Sequence, residues 1–153
     1  MKLQRIDQVK NIDRLVKIIY VNFMDLQNQP DINFTIEDIT STLSSSNFLG
    51  WLLLNDSGTI VGYMIGQLKD VGDGRYVYFL SYFYIIKKYR GSGLGSKMML
   101  NMISYIKSIN VKFIMLISSI FSDAFRLYGK LGFVPDPIIK INNSSYTVLI
   151  YYV

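Results

Sequence analysis

Cysteine and histidine are both absent from the 153 residues. Without cysteine there is no disulfide, no thiolate zinc site and no thiol nucleophile. Without histidine the usual general base near neutral pH is missing, and so are the serine–histidine–aspartate triad and the commonest zinc ligand. Proline occurs only three times, and no Pro- or Gly-rich linker or internal repeat divides the chain. The expectation is one domain over residues 1–153, a length that can bury a real core. The longest nearly continuous apolar stretch, Tyr76 to Ile86, is far too short to cross a bilayer as a helix. The opening Met1-Lys2-Leu3-Gln4-Arg5 leads into no apolar segment of a secretory signal. These absences predict a soluble, cytoplasmic protein with no membrane partner and no metal.

Half of the residues are hydrophobic, which excludes a disordered chain. The net charge of +5 fits either an anionic ligand or ordinary surface charge. Most of the excess is dispersed, but Lys87, Lys88, Arg90 and Lys97 cluster about a Gly-rich segment.

Apolar spacing gives the elements. Met1 to Ile6 reads as a strand. Val9, Ile12, Leu15, Val16, Ile19 and Phe23 recur at helical spacing, predicting a helix from Gln8 to Leu26 that is closed off by Pro30. Thr35, with Asp38 three residues on, predicts a capped helix reaching Leu43. Strands over Phe48–Leu54 and Thr59–Leu68 flank the turn Asn55-Asp56-Ser57-Gly58. A second turn, Asp70 to Gly74, leads into a strand over Arg75–Ile86 that is apolar on nearly every residue, as when both faces are covered. A helix follows over Gly93–Ile109, with Leu94, Met98, Met102, Ile106 and Ile109 on one face. Then come a strand over Val111–Ser118 and a helix capped by Ser122 or Asp123. That helix carries Ala124, Leu127 and Leu131 inward and stops at Gly132. A last strand runs from Tyr146 to Val153. Hairpins first and a βαβ unit later predict an α/β (α+β) fold, with a mixed, mostly antiparallel central sheet flanked by helices.

The chemistry gathers at Arg90-Gly91-Ser92-Gly93-Leu94-Gly95, between a strand and a helix. The first amides of a helix lack intrahelical partners and sit at the positive end of its dipole. Glycines let a phosphate approach the backbone, so the loop suits a pyrophosphate. It is not a P-loop, because Gly95 is followed by Ser96-Lys97-Met98 rather than Lys and Ser/Thr. The dinucleotide fingerprint fails too, because the strand Val111–Ser118 carries no carboxylate.

Tyr89-Arg90-Gly91-Ser92-Gly93-Leu94-Gly95 resembles motif A of the GCN5-related N-acetyltransferases (GNAT), Arg/Gln-x-x-Gly-x-Gly/Ala. Arg90, Gly93 and Gly95 fill its defining places. The segment Ala124-Phe125-Arg126-Leu127-Tyr128-Gly129-Lys130-Leu131-Gly132-Phe133 resembles that family's second signature, Leu-Tyr-x-Lys-x-Gly-Phe. Ile60-Val61-Gly62-Tyr63 is similar to its third strand, so the resemblance covers most of Trp51 to Val134.

The resemblance implies an acetyl-CoA-dependent N-acetyltransferase of GNAT-like fold that transfers the acetyl group directly to a primary amine of a small molecule or peptide. It implies that backbone amides of Arg90, Gly91, Ser92, Gly93, Leu94 and Gly95 bind the pyrophosphate, with Ser96 as a further hydroxyl donor. Phe83, Tyr84 and Ile85 would pair with the pantetheine arm, and an amide near Ile85 would face the oxyanion. Tyr128 would protonate the leaving thiolate, the alternative being a core aromatic. A homodimer is also implied by analogy. Two departures stand out: Phe121, where members often carry Asn, and Gly129 in mid-helix.

The general base stays open. Leu80-Ser81-Tyr82-Phe83-Tyr84 contains no acid, which leaves a water chain through Ser81 or Tyr82, or Glu37, Asp38 or Asp70 from the flanks. Two other functions stand beside acetyl transfer. One is a CoA-binding regulatory module without turnover, motivated by the missing carboxylate. The other is a nucleic-acid partner, supported only by a pI near 9.3 and the aromatics. No RNA-binding signature is visible, so no nucleic acid is expected.

Overall fold

The computed structural model describes residues 1–24 and 35–153. In chain order the elements are β1 (Lys2–Ile6), α1 (Ile12–Met24), α2 (Ile36–Ser44), β2 (Phe48–Leu54), β3 (Ile60–Asp70) and β4 (Tyr76–Ile85). A single 3₁₀ turn, Lys87–Tyr89, leads to α3 (Leu94–Ser108), β5 (Phe113–Ser119), α4 (Asp123–Leu131), β6 (Val134–Pro135) and β7 (Tyr146–Tyr152). The seven strands form one sheet in the order β1-β2-β3-β4-β5-β7-β6. Among the described strands only the β4–β5 pair is parallel, as a βαβ crossover through α3 demands. The mixed, mostly antiparallel sheet flanked by helices is the architecture expected from the sequence.

Two layers of side chains cover the sheet. On one face, Met98, Met102 and Ile106 of α3 and Tyr128 of α4 meet Trp51, Met64, Tyr78 and Ile114. On the other, Leu15, Val16 and Ile19 of α1 and Ile39 and Leu43 of α2 meet Phe48, Tyr63, Ile65 and Tyr82. A third cluster, Val77, Met115, Val148 and Ile150, lies on that second face beyond the two helices and packs against Ile139 of the β6–β7 loop.

The second helix has the expected cap: Thr35 Oγ1 accepts from the Asp38 amide at 3.1 Å, and the Asp38 carboxylate accepts from the Thr35 amide in return. The first helix begins later than expected, at Ile12 rather than Gln8. The Asn11 side chain accepts from the Arg14 amide and sets the start there. Its expected end at Leu26 and the break at Pro30 lie outside the described residues.

One irregularity shapes the middle of the sheet. Ile65 faces Tyr82 while Gly66 faces Leu80, so Ser81 is an extra residue in β4. A bulge of this kind reverses the facing of every later side chain. Before it, Tyr78 and Leu80 point to the α3 and α4 face. After it, Phe83 and Ile85 point there, and Tyr82 and Tyr84 turn to the α1 and α2 face. Gly66 sits opposite the bulge, where an added Cβ would lie 2.2 Å from the Phe79 carbonyl oxygen. Its bareness lets the Tyr78 ring cross β3, so that the Tyr78 hydroxyl donates to the Leu49 carbonyl at 2.8 Å.

Candidate active site

The β4–β5 pairing runs only from Val77–Phe113 to Leu80–Leu116. Beyond the bulge β4 continues to Ile85 against β3, and β5 continues to Ser119 against β7. Their facing edges, Phe83–Ile85 and Ile117–Ser119, are therefore unpaired and form a cleft. Amides alternate sides along a strand. The Ile86 amide donates to Val61 on β3, so the amides of Ile85 and Phe83 point the other way, into the cleft.

The Gly-rich loop closes one end of this cleft. Gly91 and Gly93 have φ of 81° and 83°, a left-handed conformation that favours glycine. Gly93 caps α3, and the first intrahelical bond runs from the Lys97 amide to the Gly93 carbonyl. Among the described residues, the amides of Gly91, Ser92, Gly93, Leu94, Gly95 and Ser96 have no backbone acceptor. Nothing lies within 4 Å of an added Cβ at Gly91 or Gly93, so this surface is open. At Gly95 the reason for glycine differs: an added Cβ would lie 3.3 Å from Leu127 of α4 and 3.6 Å from Phe83. Gly95 lets the start of α3 approach both the second signature helix and the strand edge.

Arg90 departs from the expectation that its backbone amide binds the pyrophosphate: that amide donates to the Lys87 carbonyl at 3.1 Å. Its Nε donates to the Ile85 carbonyl at 2.6 Å, and its guanidinium lies 4.9 Å from the Tyr84 ring centre. Tyr84 in turn stacks on Tyr63 at 5.9 Å. Arg90 therefore fastens the loop to the end of β4 and takes the one Ile85 group that would otherwise accept inside the cleft. The Ser92 hydroxyl is likewise used, donating to the Tyr89 carbonyl. Lys87, Lys88 and Lys97 stay exposed around the loop.

Tyr128 reaches the same cleft from α4. Its ring centre is 6.4 Å from Phe83 and 5.6 Å from Phe133. Burial pushes the phenol well above its ordinary value, so it remains a neutral O–H. Of the proposed acids, Asp70 is excluded as base: it pairs with Tyr76 at the far end of the β3–β4 hairpin, eight strand residues from the Gly62–Ile85 end. Asp38 lies near Tyr82, with its carboxylate accepting from the Thr35 amide. Its charge, after burial, helps to push Tyr82 up to about 12, against a hydrogen bond with Thr42. Phe121, where the pattern departs, is 77% exposed at the start of α4.

Two hollows lie elsewhere. One of about 300 Å³ sits between β1 and α1, lined by Gln4, Lys10, Arg14 and Leu52. A second of about 320 Å³ lies under Tyr105 and Ile109. Neither touches the loop or the cleft. Among the described residues, no three acidic side chains come together to hold a metal ion.

The loop, the cleft and the second signature helix are thus assembled at one place, within a segment that a sequence profile also picks out. The profile of the acetyltransferase (GNAT) family matches residues 14–133. The chain belongs to this family. As a GNAT enzyme it is an acetyl-CoA-dependent N-acetyltransferase.

Solved structures share the fold at low identity. The NatC complex bound to Gag peptide and CoA matches with a TM-score of 0.74 at 18% identity, covering 100% of this chain and 99% of that one. Arabidopsis thaliana NAA60 with a bisubstrate analogue gives 0.70 at 14%, covering 99% of each. The PaiA N-acetyltransferase of Thermoplasma acidophilum with coenzyme A gives 0.71 at 14%, covering 100% of each. A comparison with curated protein sequences returns no match. In this GNAT chain, sequence reasoning missed the bulge at Ser81 and the Arg90–Tyr84 contact. An uninterrupted apolar strand gives no signal of a bulge, and an arginine in a motif says nothing of where its side chain folds.

Proposed function

We propose that the enzyme passes the acetyl group of acetyl-CoA directly to a primary amine of a small molecule or peptide. In this reading, the amides of Gly91 through Ser96 receive the pyrophosphate, Arg90 holds the loop in place, and the edge of Phe83, Tyr84 and Ile85 pairs with the pantetheine arm. The amine attacks the thioester carbon, the carbonyl oxygen becomes an oxyanion near the Ile85 amide, and the carbon–sulfur bond breaks. The carbonyl re-forms as the thiolate takes the Tyr128 proton, and the proton shed by the attacking nitrogen passes through water to restore the phenol. Orientation on the cleft supplies much of the rate. The observation that carries this reading is the run of unpartnered amides at the start of α3, beside an unpaired strand edge. The neighbours solved with CoA, with Gag peptide and with a bisubstrate analogue support it.

A second reading, a CoA-binding regulatory module, is favoured by the absence of a carboxylate from Leu80 to Tyr84. One assay separates the two. Thiol release from acetyl-CoA is followed with a panel of peptide, small aliphatic and polyamine acceptors. Amine-dependent release is expected for the enzyme. Tight acetyl-CoA binding without release on any acceptor would establish the module.

A further inference from the structure

The first helix does not cover the whole of the sheet face on which it packs. Its Leu15, Val16 and Ile19 are buried in the same cluster as Phe48 and Tyr63. In the same layer Ile6, Val9, Ile18, Leu52 and Ile60 stay partly exposed. These five side chains line the hollow of about 300 Å³ between β1 and α1. It lies toward the β1 edge of the sheet, where Gln4 pairs with Leu52. None of its described lining residues belongs to β4 or to the Gly-rich loop.

The polar side of the hollow carries charge of one sign. Lys10 and Arg14 stand there beside the neutral side chains of Gln4, Gln8 and Asn11, and no described lining residue is acidic. The acids nearest in sequence are placed otherwise. Asp7 lines the second hollow, and Asp13, in the first turn of α1, lines neither. Both cations are exposed, and among the described residues neither side chain has an ion-pair or hydrogen-bond partner. Nor do they serve the helix. Positive side chains favour the last turn of a helix and oppose the field at its first. Lys10 directly precedes the Asn11 cap, and Arg14 is the residue whose amide that cap holds.

An exposed lysine or arginine by itself carries no meaning. These two gain one by standing over an uncovered part of the core. An apolar floor under a cationic rim without acids fits an anion that carries a hydrocarbon chain. The guanidinium presents a planar fork that matches the two oxygens of a carboxylate, and the lysine adds a second charged donor. Size limits the chain. With a water's share of liquid, about 30 Å³, as the unit, a hollow of this volume holds about ten heavy atoms.

We propose that this hollow is a second ligand site, separate from the acetyl-transfer cleft, for a short aliphatic monocarboxylate. Arg14 and Lys10 hold the carboxylate, and Ile6, Val9, Ile18, Leu52 and Ile60 hold the chain. The site stands independently of the reading that the β4–β5 cleft receives the acetyl donor.

The test is calorimetric titration of the protein with octanoate, which matches that size, in the presence and absence of CoA. Acetate and inorganic phosphate supply charge without the chain, and 1-octanol supplies the chain without charge. Octanoate is expected to bind one site about tenfold or more tightly than any of the three, equally with and without CoA. Methyl-resolved NMR is expected to show shifts at Ile6, Ile18, Leu52 and Ile60 and none at Ile85 of the cleft. Arg14→Glu puts an acid where the helix field favours one, so its thermal midpoint is expected to equal or exceed the native value while octanoate affinity falls about tenfold or more. Arg14→Gln, without the added repulsion, is expected to weaken octanoate less than Arg14→Glu does. Octanoate no tighter than 1-octanol, or native affinity in both variants, would overturn the proposal. So would methyl shifts centred on Ile85 that CoA abolishes, since the chain would then occupy the cleft.

Discussion

A phenol buried among rings keeps its proton, and that is the useful state for an acid that must protonate a departing thiolate. Tyr128 has this character, since burial raises its pKa and no described side chain hydrogen-bonds to it. Tyr128→Phe therefore removes a proton donor without breaking a bond that supports the fold. Its stability is expected to stay within about 1 kcal/mol of native. Its kcat is expected to fall about 10²- to 10³-fold, with acetyl-CoA affinity retained. Unchanged turnover, measured by thiol release, would make Tyr128 a packing residue. Arg90 makes the opposite case, because its charge matters less than its geometry. Arg90→Lys keeps the charge but loses the Nε bond to the Ile85 carbonyl. A hydrogen bond from a charged donor is worth about 1.5 kcal/mol or more, so acetyl-CoA affinity is expected to weaken about tenfold. Native affinity in this variant would show that charge alone serves the loop.

Among the elements, the β6–β7 loop depends on one ion pair. The Arg75 guanidinium beside Asp136 holds that carboxyl below the usual carboxylate range, while its Asp136 and Asp73 partners raise Arg75 above its ordinary value. A carboxyl lowered in the folded state contributes stability above its unfolded pKa and loses it as pH falls through the lowered value. Asp136→Asn breaks a buried pair and is expected to cost about 3 kcal/mol or more at neutral pH. The gap between native and variant should hold from about pH 5 to 7 and shrink below about pH 4. A gap independent of pH, in denaturant titrations, would show that the ion pair contributes no stability of its own. Element boundaries are legible in the sequence wherever a local cap sets them, as at Thr35, Ser122 and Gly132. The strand β6 is not: it is the two residues Val134–Pro135, defined only by pairing with Leu149 and Ile150. The bulge at Ser81 is equally hidden, because register belongs to two strands at once and the apolar run gives no alternation to break.

Over the whole molecule, a sheet that is closely paired for most of its width opens at one place, and the Gly-rich loop stands at that opening. The motif is readable from glycine spacing and charge. The opening is not, because it arises from β4 and β5 leaving one another after Leu80 and Leu116. Every role proposed for this enzyme depends on the amides of the loop binding the pyrophosphate of acetyl-CoA. The thermal midpoint of native protein and of Gly93→Asp, each with and without acetyl-CoA, measures that dependence. A ligand that binds only the folded state at 100 times its dissociation constant adds about 2.7 kcal/mol, or about 5–10 °C for a chain of this size. Native protein is expected to show that rise. Gly93→Asp, with a carboxylate where phosphate should lie and a side chain on a left-handed residue, is expected to show none while remaining folded. An equal rise in both, or no rise in the native protein at millimolar acetyl-CoA, would contradict pyrophosphate binding at this loop.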